Sequence, residues 1–330
     1  PLFGGVDMHL MRAESPGPSV GKLVPNVKKT ASYLYKIYLG MTVVQLIILL
    51  IAGMNLFDAL CITFGTAGTG GFGIHNDSCL VYTMPQQTII AVFMLLFGIN
   101  FNVYFLLVRK KVKEIFNIEE VKWYLIIVFG AVTAIVLNWG RLDNLYYSIH
   151  HAFFSVASVI TTTGYGTVDF NLWPMFSKFV LVMIMFIGAC AGSTGGGMKV
   201  SRILIYVKTV KKEIEGMIHQ KSIKVLKMDG KTVEHSVIRN ANVYLVSYLM
   251  IMAVSLLIVA LDNFDFETSF TAVAATFNNI GPGLGKVGPT GNFSEFSNLS
   301  KLVLTFDMLA GRLEIFPMLL LFSRATWSRK

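Results

Sequence analysis

The chain has 330 residues, of which 54% are hydrophobic and only 14% charged, and its mean hydropathy is +0.62. A soluble domain of this length carries charge on about a quarter of its residues, so the composition argues against one and predicts a membrane protein. The formal charge of +9 does not indicate nucleic acid, because Lys and Arg concentrate in loops on one side of the predicted spans. The three cysteines are too few and too scattered for a disulfide framework or a metal site.

The N-terminal residues 1–30 are interpreted as the end of a membrane helix followed by a cytoplasmic linker. The chain opens on Pro1 rather than methionine and shows no signal-peptide pattern. We therefore expect a piece of a longer polypeptide or a truncated product.

A first structural repeat is predicted at residues 31–120. It contains a span, a short helix, a glycine-rich turn and a second span, at 33–56, 57–64, 66–73 and 85–108 respectively. Pro85 opens the second span, where proline is tolerated because its missing N–H would have no helical partner anyway. The basic residues of 109–122 predict a cytoplasmic loop.

A second repeat is predicted at residues 121–240. It contains a span, a re-entrant pore helix, a filter turn, a second span and a basic cytoplasmic segment, at 123–139, 142–160, 161–167, 173–190 and 200–240 respectively. Within the basic segment, Lys227 to Val233 is typical of a small β-hairpin with Asp229-Gly230 at its turn.

The filter turn of this repeat holds the most informative motif of the chain. A threonine-rich run leads into Thr163-Gly164-Tyr165-Gly166, and Asp169 follows shortly after. Backbone carbonyls replace the hydration shell of a potassium ion where consecutive residues turn them to one side. Glycine reaches the positive φ values that this requires and leaves no side chain in the pore. For one such motif alone, a plain glycine turn between helices explains the pattern equally well.

A third repeat is predicted at residues 241–330. It contains a span, a pore helix, a filter turn and a final span, at 241–261, 264–277, 278–285 and 299–322 respectively. Three filter-like turns at corresponding positions make chance a poor explanation and indicate duplicated units. The predicted fold is therefore an all-α integral membrane protein with tandem helix–pore-loop–helix repeats around one pseudo-symmetric pore.

The adjacent pair His150-His151 on the second pore helix suggests a metal site. Neighbouring residues on a helix point about 100° apart and do not easily share one ion. A packed or hydrogen-bonded role is the favoured interpretation.

The segment Ala191 to Lys199 contains three consecutive glycines directly after the fourth span. Glycine costs about 1 kcal/mol per residue in a helix relative to alanine, so we expect the helix to break here. Irregular backbone at membrane depth is tolerated where it lines a cavity. A gate beneath the filter is favoured, and a plain interhelical turn is the alternative.

Three ionisable residues fall in the last span: Asp307, Arg312 and Glu314. Such groups in a membrane normally face a bundle interior or water and are functional. We expect Arg312 to repel cations near the pore axis and to hold the glycine loop through its backbone carbonyls. The alternative is an intramembrane ion pair with Asp307 or Glu314.

Several motifs resemble those of a known protein family, and the resemblance extends over essentially the whole chain. The chain resembles the Trk/Ktr/HKT superfamily of potassium uptake proteins, most closely its TrkH-type membrane subunit. The motifs that carry the resemblance are 12–18 (Arg-Ala-Glu-Ser-Pro-Gly-Pro), 69–72, 163–166, 192–199, 279–283 and 311–314.

The resemblance implies four covalently linked repeats around one pore, with a filter glycine in each, here Gly70, Gly164 and Gly281. It implies an intramembrane gating loop facing Arg312. It also implies a homodimer and a cytosolic, nucleotide-binding regulatory ring of the TrkA type on the basic face. The chain contains three of the four repeats, so we expect the first filter segment to precede Pro1.

The predicted function is potassium uptake through a gated pore in the bacterial cytoplasmic (inner) membrane, in contact with lipid and without nucleic acid, covalent cofactor or catalysis. The ion-binding residues are predicted to be Thr69, Gly70, Gly71, Thr162, Thr163, Gly164, Tyr165, Asn279, Ile280 and Gly281. The gating residues are predicted to be Gly192, Gly195, Gly196, Gly197, Lys199 and Arg312. Asp169 is expected to concentrate cations outside the filter.

Four alternatives remain open at the sequence level. Two are transport proteins: the ion-translocating subunit of a potassium-pumping ATPase, and an HKT-like channel that passes both Na⁺ and K⁺. A membrane enzyme is disfavoured because the six histidines show no ligand or catalytic spacing. A non-conducting scaffold is the fourth.

Overall fold

The computed structural model describes residues 27–140, 144–219, 225–313 and 315–322, with side chains from residue 31 onward. Several predicted features lie outside these residues: most of the linker 1–30, the motif at 12–18, Glu314, and the basic C-terminal tail.

The described residues are mainly helical. The α-helices are α1 Val27–Ile51, α2 Leu56–Ala67, α3 Met84–Phe97, α4 Phe101–Val108, α5 Val112–Ile115, α6 Glu119–Trp139, α7 Leu145–Ile160, α8 Met175–Ile187, α9 Val200–Ile218, α10 His235–Val259, α11 Phe266–Phe277, α12 Asn298–Arg312 and α13 Ile315–Leu321. Three short 3₁₀ segments are Phe170–Leu172, Ala260–Asp262 and Gly285–Val287. The strands β1 Lys227–Met228 and β2 Lys231–Thr232 pair antiparallel.

The same order of elements occurs three times: an outer helix, a short pore helix, a loop, and an inner helix. The three sets are α1–α2–α3, α6–α7–α8 and α10–α11–α12. This arrangement agrees with the predicted fold class. The exact repeat boundaries stay a prediction.

All three pore helices begin with the same capping chemistry. Asn55, Asn144 and Asp265 each accept a hydrogen bond from the backbone N–H three residues later, at 2.8, 3.3 and 2.9 Å. A side-chain oxygen at this position satisfies an N–H that has no helical partner. Each pore helix then ends directly before its loop, so its C-terminal carbonyls face the loop region.

The membrane spans differ from the prediction. Among the described residues, three helices are long and apolar enough to cross a membrane: 31–51, 119–139 and 235–262. A fourth span is possible only if the bent pair α3–α4 is counted as one. The first span ends five residues earlier than predicted, where Gly53 turns the chain with a φ of 81°. The helix expected from residue 241 already begins at His235.

The inner helices of all three repeats are interrupted. The predicted span 85–108 is broken into two helices, because α3 and α4 meet at 90°. The final span is likewise interrupted, since α12 ends at Arg312 and α13 begins at Ile315. The glycine pattern predicted the break after α8, although α8 ends at Ile187, three residues before the predicted end of the span at residue 190. Gly98 was a signal for the first break, but a single glycine does not by itself end a helix.

The small hairpin on the basic segment is confirmed. Lys227 pairs with Thr232, and Met228 with Lys231. Asp229 and Gly230 both have positive φ, at 53° and 74°, which suits the tight turns that connect adjacent strands.

We predict that Asp265→Ala destabilises the third pore helix. Hydrogen bonds from the side chain and N–H of Thr268 lower the pKa of the Asp265 carboxyl. The ionised carboxylate therefore contributes its full stabilisation of the folded state above the unfolded pKa of about 3.9. That stabilisation is lost as the pH falls through the lower pKa of the folded state. At neutral pH we expect a loss of about 1 kcal/mol, measured as the thermal unfolding midpoint in detergent.

Two comparisons check this prediction. Asp265→Asn keeps the acceptor oxygen and should retain most of the stability at neutral pH. The difference between wild type and Asp265→Ala should shrink in acid. Equal midpoints for wild type and Asp265→Ala at neutral pH would contradict the capping role.

Candidate ion pathway

The three loops after the pore helices share one backbone conformation. In each, two residues separated by one position have positive φ, a region that glycine enters readily and other residues rarely do. The pairs and their φ values are Thr69 and Gly71 (49° and 65°), Thr162 and Gly164 (57° and 88°), and Asn279 and Gly281 (58° and 100°). The repetition shows that the three turns are built alike.

Hydrogen bonds fix the register of the loops. The N–H groups of Gly70, Thr163 and Ile280 each donate to the carbonyl five residues earlier, at 2.8, 2.9 and 2.8 Å. These three residues are therefore equivalent. Gly71, which follows Gly70, is the equivalent of Gly164 and Gly281. The sequence assignment of Gly70 to that position is off by one residue, because the consecutive glycines give no register without the hydrogen bonds.

Neighbouring loops approach each other through these glycines. A Cβ on Gly71 would overlap the carbonyl oxygen of Thr163, and one on Gly164 would overlap that of Ile280. A Cβ on Gly281 would meet no described atom within 4 Å. The three loops therefore form an arc, in which the carbonyls of Thr163 and Ile280 each face the glycine of the preceding loop.

Tyr165 is packed behind the filter rather than toward an open lumen. Its side chain is buried, and its hydroxyl lies 3.5 Å from the carbonyl oxygens of Ile62 and Phe72. Its own carbonyl accepts a hydrogen bond of 2.6 Å from Ser158 on the pore helix. A Cβ on Gly65 would overlap the Tyr165 hydroxyl, so Gly65 makes room for it. Neither Ser158 nor Gly65 stood out in the sequence.

The third loop is held by contacts from α10 and α12. The buried Asn278 side chain exchanges hydrogen bonds with the Tyr248 hydroxyl, at 2.8 and 3.1 Å. The Asn279 amide donates to the carbonyl of Met308 at 3.1 Å. Gly311 allows α12 to approach closely, because a Cβ there would overlap the carbonyl oxygen of Phe277.

The chain between α8 and α9 is non-helical, as the glycine pattern predicted, and we call residues 188–199 the glycine loop. It lies directly beneath the filter loops. The N–H of Gly196 donates to the Thr162 hydroxyl at 2.6 Å. A Cβ on Gly196 would lie 2.9 Å from the carbonyl oxygen of Asn278, and one on Gly195 would lie 3.1 Å from that of Thr161. The loop thus contacts the second and third repeats together.

Arg312 contacts the glycine loop from the third repeat. Its guanidinium donates to the carbonyl of Thr194 and to that of Gly68, each at 3.2 Å. The Thr69 hydroxyl donates to the same Thr194 carbonyl at 2.9 Å. The predicted contact with loop carbonyls is therefore present. Lys199, a buried residue, donates to the carbonyl of Gly195 from within the loop.

The alternative ion pair between Arg312 and Asp307 is not formed. The Asp307 side chain is fully buried and accepts a hydrogen bond of 2.8 Å from Ser255 on α10. Its second carboxyl oxygen has no hydrogen-bonding partner among the described residues. Ser255 carried no signal in the sequence.

The histidine pair has the hydrogen-bonded role that was favoured. His150 lies 2.8 Å from the side-chain oxygen of Gln87, and His151 lies 2.9 Å from the Thr167 hydroxyl. Both are buried. Within the part of the chain that the structure describes, no group of three or more metal-ligating side chains occurs.

An outer vestibule of about 240 Å³ opens above the arc, and Gly71, Gly164 and Gly281 line its floor. Asp169 lies near this entrance, but its carboxylate accepts from the N–H of Asn171 at 3.0 Å and from the Thr290 hydroxyl at 3.3 Å. The bond to Thr290 joins the two outer loops.

Repeated apolar helices, re-entrant pore helices and in-register loops that bring carbonyls together define a pore-loop transport protein of the membrane. Residues 1–137 and 123–329 match the sequence profile of the TrkH family, described as cation transport protein. The chain belongs to this family.

Named relatives support the assignment. The chain is 36% identical to the Trk system potassium uptake protein TrkH of Escherichia coli K12, over 99% of this chain and 68% of that protein. It is 33% identical to the protein of the same name from Halomonas elongata, over 100% and 69%. The crystal structure of the potassium transporter TrkH from Vibrio parahaemolyticus superposes with a TM-score of 0.84 at 31% identity, over 98% of this chain and 69% of that one.

These findings confirm several predictions. The family resemblance and the all-α pore-repeat fold are confirmed. The chain is a multi-pass membrane protein of a transport family and not an enzyme. The individual ion-binding and gating roles stay predictions.

We predict that Gly71→Ala impairs ion uptake far more than Gly70→Ala. At Gly71 a methyl group enters a left-handed backbone position and overlaps the Thr163 carbonyl. At Gly70 it meets only the ring of Phe72, 3.2 Å away, and that side chain is exposed and free to move. We expect at least about a tenfold loss for Gly71→Ala, equivalent to about 1.4 kcal/mol, and little loss for Gly70→Ala.

Rubidium uptake per amount of membrane-inserted protein is the measurement for both variants. The two substitutions add the same methyl group to neighbouring positions, so each controls for the other. A larger loss for Gly70→Ala would show that the register derived from the hydrogen bonds is not the functional one.

Proposed function

We propose that the chain is the membrane subunit of a potassium uptake system and conducts K⁺ through a single pore. The relatives that share this fold are named Trk system potassium uptake proteins. One observation carries the proposal: the loops of three repeats pack in register, with the carbonyls of Thr163 and Ile280 at the contacts between loops.

In this proposal K⁺ loses its water at the vestibule and is held by backbone carbonyls of the three loops. The positive-φ residues turn consecutive carbonyls toward the pathway, as a filter requires. Each pore helix ends at its loop, and its C-terminal end adds a partial negative charge of about half a unit. Gly71 takes the position that Gly164 and Gly281 occupy in the other loops.

A fourth filter segment fits this geometry. Gly71 and Gly164 each face a carbonyl of the next loop, while Gly281 faces open space among the described residues. A fourth loop of the same construction would place its own carbonyl against Gly281 and close the arc. The chain spans about two-thirds of its relatives' length, 68% and 69% for the two proteins named above.

The gate in this proposal is the glycine loop together with Arg312. The loop lies beneath the filter, and the guanidinium holds it through Thr194 while placing a positive charge beside Thr69. A fixed positive charge raises the energy of a cation nearby, more strongly where water is scarce. Uptake then requires the loop and the guanidinium to separate.

The proposed partners are a second copy of the chain and a cytosolic, nucleotide-sensing ring of the TrkA type. The basic segment 200–240 supplies a positively charged cytoplasmic surface for such a ring. The relatives come from bacteria, and the proposed location is the cytoplasmic (inner) membrane.

The alternative transport functions are less well supported. The match to the TrkH family favours a Trk-type subunit over the ion-translocating subunit of a potassium-pumping ATPase. An HKT-like channel permeable to both Na⁺ and K⁺ differs in selectivity, which transport measurements decide.

The experiment that tests this function is rubidium uptake by bacteria that lack their own potassium uptake systems. Cells that produce the protein should accumulate Rb⁺ and grow at low external potassium. Addition of excess K⁺ should compete, and excess Na⁺ should compete weakly. Absence of uptake despite membrane insertion of the protein would refute the proposal.

We predict that Arg312→Ala increases uptake. The substitution removes a positive charge from the pathway and releases the loop carbonyl of Thr194. A rise of about tenfold corresponds to about 1.4 kcal/mol removed from the barrier. Arg312→Lys keeps the charge but not the planar guanidinium that reaches two carbonyls at once. Its uptake should therefore lie between that of wild type and that of Arg312→Ala. Unchanged or reduced uptake in Arg312→Ala would contradict the barrier role.

A further inference from the structure

One buried carboxylate outside the filter holds both ends of the glycine loop. Glu120 is the second residue of α6 and is only 4% exposed. Its Oε1 atom accepts a hydrogen bond from the N–H of Ala191 at 2.6 Å and another from the N–H of Ser201 at 3.1 Å. Ala191 lies near the start of the loop, and Ser201 lies in the first turn of α9, just after the loop ends.

The backbone closes the loop at the same place. The N–H of Val200 donates to the carbonyl of Ala189 at 3.1 Å. The chain between Ala189 and Val200 therefore forms a closed lobe that extends under the filter. We call the place where its two ends meet the neck, and Glu120 lies there. The N-terminus of α9 also carries a partial positive charge, which favours a carboxylate at this position. Oxygens that accept several N–H bonds at once are held firmly.

The tip of the lobe is held by different contacts. Thr162 receives the N–H of Gly196, and Arg312 and Thr69 donate to the carbonyl of Thr194. The tip contacts connect the lobe to the filter region, whereas Glu120 contacts the lobe at its neck. A movement that clears the pathway has to break tip contacts, and the neck determines how far the lobe swings.

We propose that Glu120 is a positioning residue that keeps the glycine loop across the ion pathway by fixing its neck. The proposal rests on the function proposed above, because it requires the lobe to lie in the path of the ion. Glu120 itself touches no ion in this mechanism. Loss of its acceptor oxygen frees both neck N–H groups, so the lobe leaves the pathway more often.

Three variants distinguish the effect of the Glu120 acceptor oxygen from the effect of its negative charge. Glu120→Met keeps the length of the side chain but has no carboxyl oxygen, and should raise basal rubidium uptake about tenfold, equivalent to about 1.4 kcal/mol in the loop equilibrium. Glu120→Gln loses the charge but keeps an acceptor oxygen, and should return uptake close to wild type. Glu119→Met is the matched control, because Glu119 pairs with Lys208 and is not bonded to the loop.

A second readout does not depend on transport. Hydrogen–deuterium exchange of the peptide covering 189–201, in purified protein, reports the opening of the neck. Exchange should be faster in Glu120→Met, near wild type in Glu120→Gln, and unchanged in Glu119→Met. If wild type takes up no rubidium, the proposed function fails, while this exchange pattern still tests whether Glu120 holds the neck.

The results decide the proposal in either direction. Raised uptake with faster exchange in Glu120→Met, and recovery in Glu120→Gln, would support it. Unchanged or reduced uptake per inserted protein, or exchange equal to wild type, would overturn it. If Glu120→Met is not produced, Ser201→Pro removes one of the two donors from within the first helical turn, where proline is tolerated. It should raise uptake and exchange in the same direction, and no change would overturn the proposal.

Discussion

The structure depends on one constraint: backbone N–H and C=O groups at membrane depth must find partners, because lipid offers none. All three inner helices are interrupted, and each interruption exposes such groups. Two of these breaks, the one between α3 and α4 and the glycine loop, supply hydrogen-bond partners for each other's backbone groups. The N–H of Cys190 donates to the carbonyl of Gly98, and the N–H of Phe101 donates to that of Gly192, both at 3.0 Å. The elbow between α3 and α4 and the glycine loop are therefore one interlocked unit.

Once the loop is fixed in this way, side chains from three other elements form hydrogen bonds with its remaining polar groups. The Thr162 hydroxyl and the Arg312 guanidinium bind the tip of the loop, and the Glu120 carboxylate binds its neck. Side-chain contacts to a loop are easier to exchange than a helical ladder, because each depends on a few rotatable bonds. This construction suits the gating role proposed for the loop, which requires a segment that is ordered when the pathway is closed and able to move when it opens.

Close approach of backbones explains several glycines better than flexibility does. Gly71 and Gly164 have positive φ, yet a Cβ on either would also overlap a carbonyl of the next loop. Gly311 lies inside a regular helix. A glycine is needed there because α12 packs closely against the end of the third pore helix. The absence of a side chain at Gly71 and at Gly164 sets the distance between neighbouring loops.

The sequence by itself determined the class of protein, the three repeats, the positions of the pore helices and the break after α8. Each of these follows from local signals: apolar length, repeated glycine-bearing turns and runs of glycine. Only the tertiary structure decided that Gly71 is the partner of Gly164 and Gly281, that the first and last inner helices are also interrupted, and that Arg312 binds loop carbonyls rather than Asp307. The partners Ser158, Ser255 and Glu120 were likewise invisible, because their roles depend on contacts between segments far apart in the chain. Hydrogen-bond register and side-chain pairing are properties of the assembled repeats, and no local pattern of residues encodes them.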